Sequence, residues 1–313
     1  MKIKLKDIEA ARTRINPFIH RSPVLSSRLL NEISGAELYF KCEGFQKTGS
    51  FKARGATNAV LKLDEKLAQK GVATHSSGNH GQALAWAAKK RGIPAYIVMP
   101  EDAPAVKVAA VRGYGAELIF CEASLAARED GLEAVIARTG ATFIPPYNHY
   151  DIIEGQASAA AELIEDVSNL ETIISPVGGG GLLAGTALSA YYLKEDIKVY
   201  AAEPAGADDA FRSFHSGELV RSHQPNTIAD GLRTTLGPLN FEIIKDLVSD
   251  IFLVNDDEII DAMKLIYQHL KIVIEPSCAV PFAAILKEKD RFKGQRIGLI
   301  LSGANVDLQK LPF

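Results

Sequence analysis

Hydrophobic positions along the chain switch between two patterns. Short apolar runs of about six residues alternate with longer stretches in which apolar residues recur at three- and four-residue spacing. Over 71–147 the order is strand 71–77, helix 80–92, strand 94–100, helix 103–115, strand 116–122, helix 125–139 and strand 141–147. Gly92 stands where a helix C-terminus favours the left-handed conformation, and Pro104 falls near the first turn of its helix. Beyond about residue 150 the alternation resumes with strand 171–177, helix 182–194, strand 197–203, helix 256–272 and strand 296–303. Continuous apolar strands separated by helices are the pattern of parallel sheets covered on both faces. Two α/β units are therefore predicted, with roughly the first 60 residues packing on one of them. Periodicity does not say which.

Composition supports this size estimate. The chain has 313 residues, of which 47% are hydrophobic, enough for a large core and more than most single compact domains. Charges of both signs are interspersed and sum to −3, leaving neither a basic tract for nucleic acid nor an acidic disordered tail. Cys42, Cys121 and Cys278 are far apart and form no CxxC pair, so reduced thiols are expected. The first residues carry lysines where a signal peptide needs an apolar run, and no run approaches the ~18 apolar residues of a membrane span. A cytoplasmic protein is the expectation.

In open parallel sheets, ligands bind beyond the carboxyl ends of strands, which directs attention to the strand-to-helix junctions. At 178–181 four glycines follow a strand and open a helix. Backbone N–H groups at a helix N-terminus, with no side chains in the way, make an anion cradle. A tight turn is the alternative, although it does not require the backbone entropy that four glycines lose. The run is not GxGxxG and no Walker lysine follows it, yet Glu203 ends the next strand where a ribose-binding acid would stand. A NAD-binding protein therefore stays open at this point. The loop "SSGNHG" (76–81) could hold a carboxylate, or it could be a capped turn that satisfies its own backbone. Ser302 ends the buried run "IGLIL", and a hydroxyl there needs a backbone or ligand partner.

The stretch "KTGSFKARGA" (47–56) carries the sharpest signal. Ser50 reads as a helix N-cap, which puts Lys52 in the first turn, where the helix dipole disfavours a cation. At helical spacing, positions 52, 56, 59 and 63 form an apolar stripe, while Arg54, Asn58 and Lys62 form the solvated side. Most lysines are surface charges, and this one fits that description badly. Burial and the dipole both disfavour its ammonium form, and such an amine can attack a carbonyl to give a Schiff base. An activated lysine together with a phosphate cradle points to a phosphate-bearing aldehyde, pyridoxal 5'-phosphate.

The set "KTGSFKARGA", "THSSGNHGQALAWAAK", "PVGGGGLLAG", "AAEPAGADD", "TIADGL" and "LSGANVDL" resembles the fold-type II pyridoxal-phosphate enzymes, and among them the serine racemase and serine/threonine dehydratase family. The match follows the family's order over nearly the whole chain. It implies an α/β fold of two parallel-sheet domains, tryptophan synthase β-like, with the active site between them. Residues 1–61 and 148–313 would form the large cofactor-binding domain and 62–147 a small substrate-binding domain that rotates over the cofactor. Lys52 would carry the cofactor and act as base on one face of the substrate Cα. Phe51 would flank the cofactor ring and Asn79 would bond its 3′-oxygen. Gly178, Gly179, Gly180 and Gly181, with the N–H of Leu182, would hold the phosphate, and Ser302 would face the pyridine nitrogen. Ser76, Ser77, Gly78, Asn79 and His80 would line the substrate pocket. Ser77 would be the second catalytic residue, serving the opposite face.

The resemblance also implies a divalent-cation site at Glu203, the carbonyl of Ala207 and Asp209, taking Mg²⁺ or else Ca²⁺ or Mn²⁺, and a homodimer. That assignment turns Glu203 away from a ribose contact. The implied activity interconverts L- and D-serine and eliminates L-serine or L-threonine to a 2-oxo acid and ammonia. A threo-3-hydroxyaspartate dehydratase is the alternative, since those enzymes share the "SSGNHG" loop. The stretch 145–157 departs from the pattern of animal serine racemases, as do Arg28, in a segment that partly matches their nucleotide-effector site, and Pro281. His149, Arg128 and Thr234 are candidates to contact a distal substrate group, or are solvated loop and surface residues.

Overall fold

The computed structural model describes residues 2–76, 78–103, 105–222 and 224–313. Ten strands among them form two separate sheets. In chain order they are β1 (Val24–Leu25), β2 (Glu37–Cys42), β3 (Val72–His75), β4 (Ala95–Pro100), β5 (Glu117–Cys121), β6 (Thr142–Phe143), β7 (Thr172–Pro176), β8 (Lys198–Pro204), β9 (Asp250–Val254) and β10 (Arg296–Leu301). One sheet has the order β5-β4-β3-β6 and is wholly parallel. The other runs β1-β2-β10-β7-β8-β9 and is parallel except for the antiparallel β1–β2 pair at its edge.

The N-terminal segment, which periodicity could not place, joins the six-stranded sheet. β2 pairs with β10 from Arg296↔Glu37 to Leu301↔Cys42, so the first and last strands of its parallel part are neighbours. The expected strand at 141–147 shrinks to Thr142–Phe143. Pro145 and Pro146 follow it, and without N–H groups they cannot extend a ladder.

Helix Lys52–Lys62 departs from expectation at both its start and its face. Its N-cap is Phe51 in helical conformation, with no side-chain cap, and the Ser50 hydroxyl finds no partner among the described residues. Arg54 and Asn58, assigned to a solvated side, are fully buried. The reason is a second helix, Tyr150–Asp166, packed on that side. Gly55 and Gly155 let the two backbones meet, since a Cβ on Gly155 would lie 2.6 Å from the Gly55 Cα. Burying a guanidinium here requires partners. Arg54 donates to both oxygens of Glu43 and both of Glu162 at 2.7–2.8 Å, while Lys41 pairs with Glu162 at 2.8 Å. Two cations facing two carboxylates keep the cluster neutral; removing one member would strand a buried charge. The opposite side of the same helix, Ala56, Ala59 and Val60, packs into the core of the four-stranded sheet. Helix Lys52–Lys62 is thus clamped between the two units.

Candidate active site

Four strand ends meet near one point. In the large sheet β2, β10 and β7 are consecutive neighbours, and their carboxyl ends lead to the Lys52 helix, to Ser302 and to Gly178–Gly181. The carboxyl end of β3, in the small sheet, leads to Asn79 and His80 at the start of helix Asn79–Arg91. The segments are tied to each other. Phe51 N donates to Ser302 O at 3.0 Å, Ala304 N to Gly49 O at 2.9 Å, and Ser50 bridges Gly303.

The Lys52 nitrogen lies inside this focus. It donates to the carbonyl of Pro146 at 2.7 Å and stands 5.1 Å from the centre of the Phe51 ring. Loss of water lowers its pKa from 10.5 to about 8, and the Glu275 carboxylate pulls in the other direction. At pH 8 about half of the amine is then neutral, against about one part in 300 for an ordinary lysine.

The glycine run forms a recess that side chains would fill. A Cβ on Gly178 would lie 2.9 Å from the Leu232 Cα, and one on Gly179 would lie 2.3 Å from the Tyr147 ring. Gly180, at φ 89°, is the N-cap of helix Gly181–Leu193, in a conformation that favours glycine. The first-turn N–H groups of that helix have no intrahelical acceptor, which makes the recess fit an anion such as a phosphate. A half-buried amine of lowered pKa and an anion-binding helix N-terminus at one focus fit a phosphate-bearing aldehyde. Thr234, proposed for a distal substrate group, lies at this recess instead, its Oγ1 3.2 Å from where a Gly178 Cβ would be.

Ser302 is buried, and its hydroxyl lies 3.4 Å from the Cys278 sulfur. Burial pushes the Cys278 thiol up to about 12, so both groups are neutral. Asn79 gives its Nδ2 to both oxygens of Glu275 at 2.8 and 3.1 Å and accepts from Asn305 at 2.9 Å. His80 is buried with its Nε2 2.9 Å from the Ile144 carbonyl, and desolvation lowers its pKa to about 3. It is a neutral imidazole whose Nε2 must carry the proton, because a carbonyl only accepts. Its Nδ1 has no partner among the described residues. The Ser76 hydroxyl accepts from Gly78 N at 3.3 Å. Ser77 lies outside the described residues. Arg128 bonds the Ser124 carbonyl on its own helix at 3.2 Å, and the His149 ring accepts from Asp151 N at 3.2 Å as a helix cap.

Glu275 escaped the sequence reading. It is buried at the N-cap of helix Pro276–Lys287 and joins Asn79, from the small-sheet side, to Asn305 N at 2.8 Å on the large-sheet side. Only the dipeptide Glu-Pro before an apolar run hinted at it, and that signal marks a helix start rather than a site.

Glu203, Ala207 and Asp209 are all buried. Glu203 accepts from Ala210 N at 3.1 Å and Phe211 N at 2.8 Å, and Asp209 accepts from Leu236 N at 2.7 Å. Burial first, with Asp209 among the further causes, pushes the Glu203 pKa well above its ordinary value. Among the described residues no group of three or more metal-ligating side chains is poised together.

A family model for pyridoxal-phosphate dependent enzymes matches residues 15–303. The chain belongs to that family. Among relatives, it is 52% identical to a serine racemase of Dictyostelium discoideum, over 99% of this chain and 97% of the relative. It is 50% identical to a beta-hydroxyaspartate dehydratase of Paracoccus denitrificans, over 98% of each. The solved structure of maize serine racemase superposes with a TM-score of 0.97 at 46% identity, covering 99% of this chain and 96% of that one. Membership in the pyridoxal-phosphate family, with Glu203 at the end of β8 turned onto the N–H groups of the following helix, Asp209–Ser216, displaces the NAD reading of the glycine run. As in the expected fold class, the chain builds two α/β units on parallel sheets. No helix among the described residues is long and apolar enough to cross a membrane.

Proposed function

We propose that this enzyme interconverts L- and D-serine and also eliminates L-serine or L-threonine to a 2-oxo acid and ammonia. The observation that carries the reading is the desolvated Lys52 amine and the side-chain-free glycine run at a helix N-terminus, both in contact with the Pro146–Tyr147 segment, with Ser302 at the neighbouring strand end. Gly178–Gly181 and Leu182 N would hold the phosphate of pyridoxal phosphate, Phe51 would flank its ring, Asn79 would bond its 3′-oxygen and Ser302 would face its pyridine nitrogen. Bound there, pyridoxal phosphate supplies a sink for negative charge developing at the substrate Cα.

The remaining steps belong to the chain. Ser76, Gly78 and the N-terminus of helix Asn79–Arg91 would hold the substrate carboxylate. Neutral Lys52 takes the Cα proton from one face. Returning a proton to the same face regenerates the starting enantiomer, so inversion needs a second donor opposite, and Ser77 is assigned that role. A neutral Ser302 leaves the ring nitrogen without a charged partner and weakens the sink, so loss of a β-hydroxyl competes with reprotonation. Closure of the 62–147 unit would exclude water, and the Asn79–Glu275 contact is one that such a motion would work across.

The 50% identity to a hydroxyaspartate dehydratase favours a second substrate, threo-3-hydroxyaspartate. Product analysis of the purified enzyme tests both readings. With L-serine, D-serine and pyruvate are expected together. Oxaloacetate from hydroxyaspartate without any D-serine from L-serine would replace the first reading with the second.

We also place a divalent cation between Glu203, the Ala207 carbonyl and Asp209. Two buried carboxylates and a backbone carbonyl are hard oxygen donors, which suit Mg²⁺, Ca²⁺ or Mn²⁺. Chelation should lower activity and loosen residues 203–209, seen as faster hydrogen exchange, while the cofactor's absorbance persists. Bleaching in step with metal removal would show that this loop holds the cofactor itself. A homodimer in the cytoplasm completes the proposal, checked by light scattering and cell fractionation.

A further inference from the structure

The Lys52 side chain ends in a built environment. Its nitrogen donates to Pro146 O at 2.7 Å, and the centres of the Phe51 and Tyr147 rings lie 5.1 and 6.0 Å away. Tyr147 is itself fixed from several sides. Its ring covers the Gly179 Cα, and its carbonyl accepts from His149 N at 3.0 Å and from Asn240 Nδ2 at 3.4 Å. Asn240 in turn donates to Gly179 O at 2.6 Å. One residue therefore touches both the glycine recess and the surroundings of the amine.

We propose that Pro146 and Tyr147 form a receiver for the Lys52 amine whenever it is not bonded to the cofactor, with Tyr147 as a positioning residue. The proposal rests on the reading that Lys52 is the point of attachment. A carbonyl oxygen has no proton to give, so it holds the amine by an N–H and leaves the nitrogen's lone pair directed elsewhere when the amine is neutral. Phe51 and Tyr147 restrict the flexible four-carbon stem, and their ring faces favour the ammonium form. The charged and titratable groups facing Lys52 from the other elements are Glu275, which also favours the ammonium form, and the neutral His80. Tyr147, like Phe51, can be deleted without changing charge, and it is the one of the two that also touches Gly179.

The test uses the full chain with and without cofactor. In the cofactor-free protein, competitive acetylation read by mass spectrometry across pH gives the titration of Lys52 alone. Tyr147→Phe keeps the ring and should titrate with the parent, whereas Tyr147→Leu and Tyr147→Met should titrate lower by roughly half a pH unit. In the holoenzyme, the two non-aromatic variants should lower kcat about fivefold or more for both products, with KM within about twofold. An unshifted titration in both non-aromatic variants overturns the receiver, as does a shift in Tyr147→Phe equal to theirs. Borohydride reduction and peptide mapping of the holoenzyme report the underlying reading separately. Label on a lysine other than Lys52 overturns the reading of the site. Label on Lys52 with an unshifted Tyr147→Leu overturns the receiver alone.

Discussion

Replacing Lys52 by alanine would remove the proposed covalent anchor and the proposed base together, so turnover should fall by about 10⁴-fold or more, with loss of the visible band of lysine-bound cofactor. The neighbouring lysines cannot stand in for it. Lys41 is fully buried and committed to Glu162 and the Ser22 carbonyl, at 2.8 and 2.7 Å. Lys62 is held by Asp151 and Glu154 at the far end of the same helix. Lys52 faces no carboxylate within ion-pair distance among the described residues, and its nitrogen rests on a carbonyl. That difference in partners is why only its pKa falls to about 8 while Lys62 is raised. Arg54 and Asn58 hold the helix independently of the Lys52 side chain, so the variant should keep its fold and its circular dichroism spectrum. A retained visible band, or turnover within a factor of about ten of the parent, would move the chemistry to another residue.

Ser77→Ala should lower D-serine formation by about 100-fold or more and leave elimination of L-serine within about threefold. Elimination needs a base on one face and a leaving group on the adjacent carbon, both available without Ser77. Racemisation needs in addition a proton delivered to the face that Lys52 does not serve. The loop offers few substitutes. The Ser76 hydroxyl already accepts from Gly78 N, and the His80 imidazole is neutral with its proton on the nitrogen beside the Ile144 carbonyl. The assay follows D-serine with a D-amino-acid oxidase and pyruvate with lactate dehydrogenase in one reaction mixture. Undiminished D-serine formation would refute the two-base scheme. An equal fall in both products would instead assign Ser77 to substrate binding.

Much of this was written in local sequence. Alternating apolar strands and helices from 71 to 139 became β3, β4 and β5 with their helices; β3 and β4, interior strands covered on both faces, show as continuous apolar runs. The glycine run was readable because the proposed phosphate site needs several adjacent positions without side chains, and adjacency is what a sequence displays. Lys52 was readable as an anomaly, a cation in the wrong turn of a helix. The local reading failed wherever the answer depended on a distant segment. Ser50 looked like a cap by type, yet the chain enters the helix through Phe51. Arg54 and Asn58 looked solvated by periodicity, yet helix Tyr150–Asp166 covers them and Glu43 and Glu162 neutralise the arginine.

By itself, then, the sequence determined the parallel α/β class and singled out Lys52 and the glycine run as the proposed site, each from residues close together in the chain. Tertiary structure decided where the N-terminal strands go and how the Lys52 helix is clamped between two units. It also brought together Lys52, Pro146, Tyr147, Glu275 and Ser302 at one focus. These residues are separated by up to 250 positions, and their meeting depends on the order in which β2, β10 and β7 lie side by side. Strand order is set by which apolar faces pack together across the whole chain, and no local window of sequence contains that information.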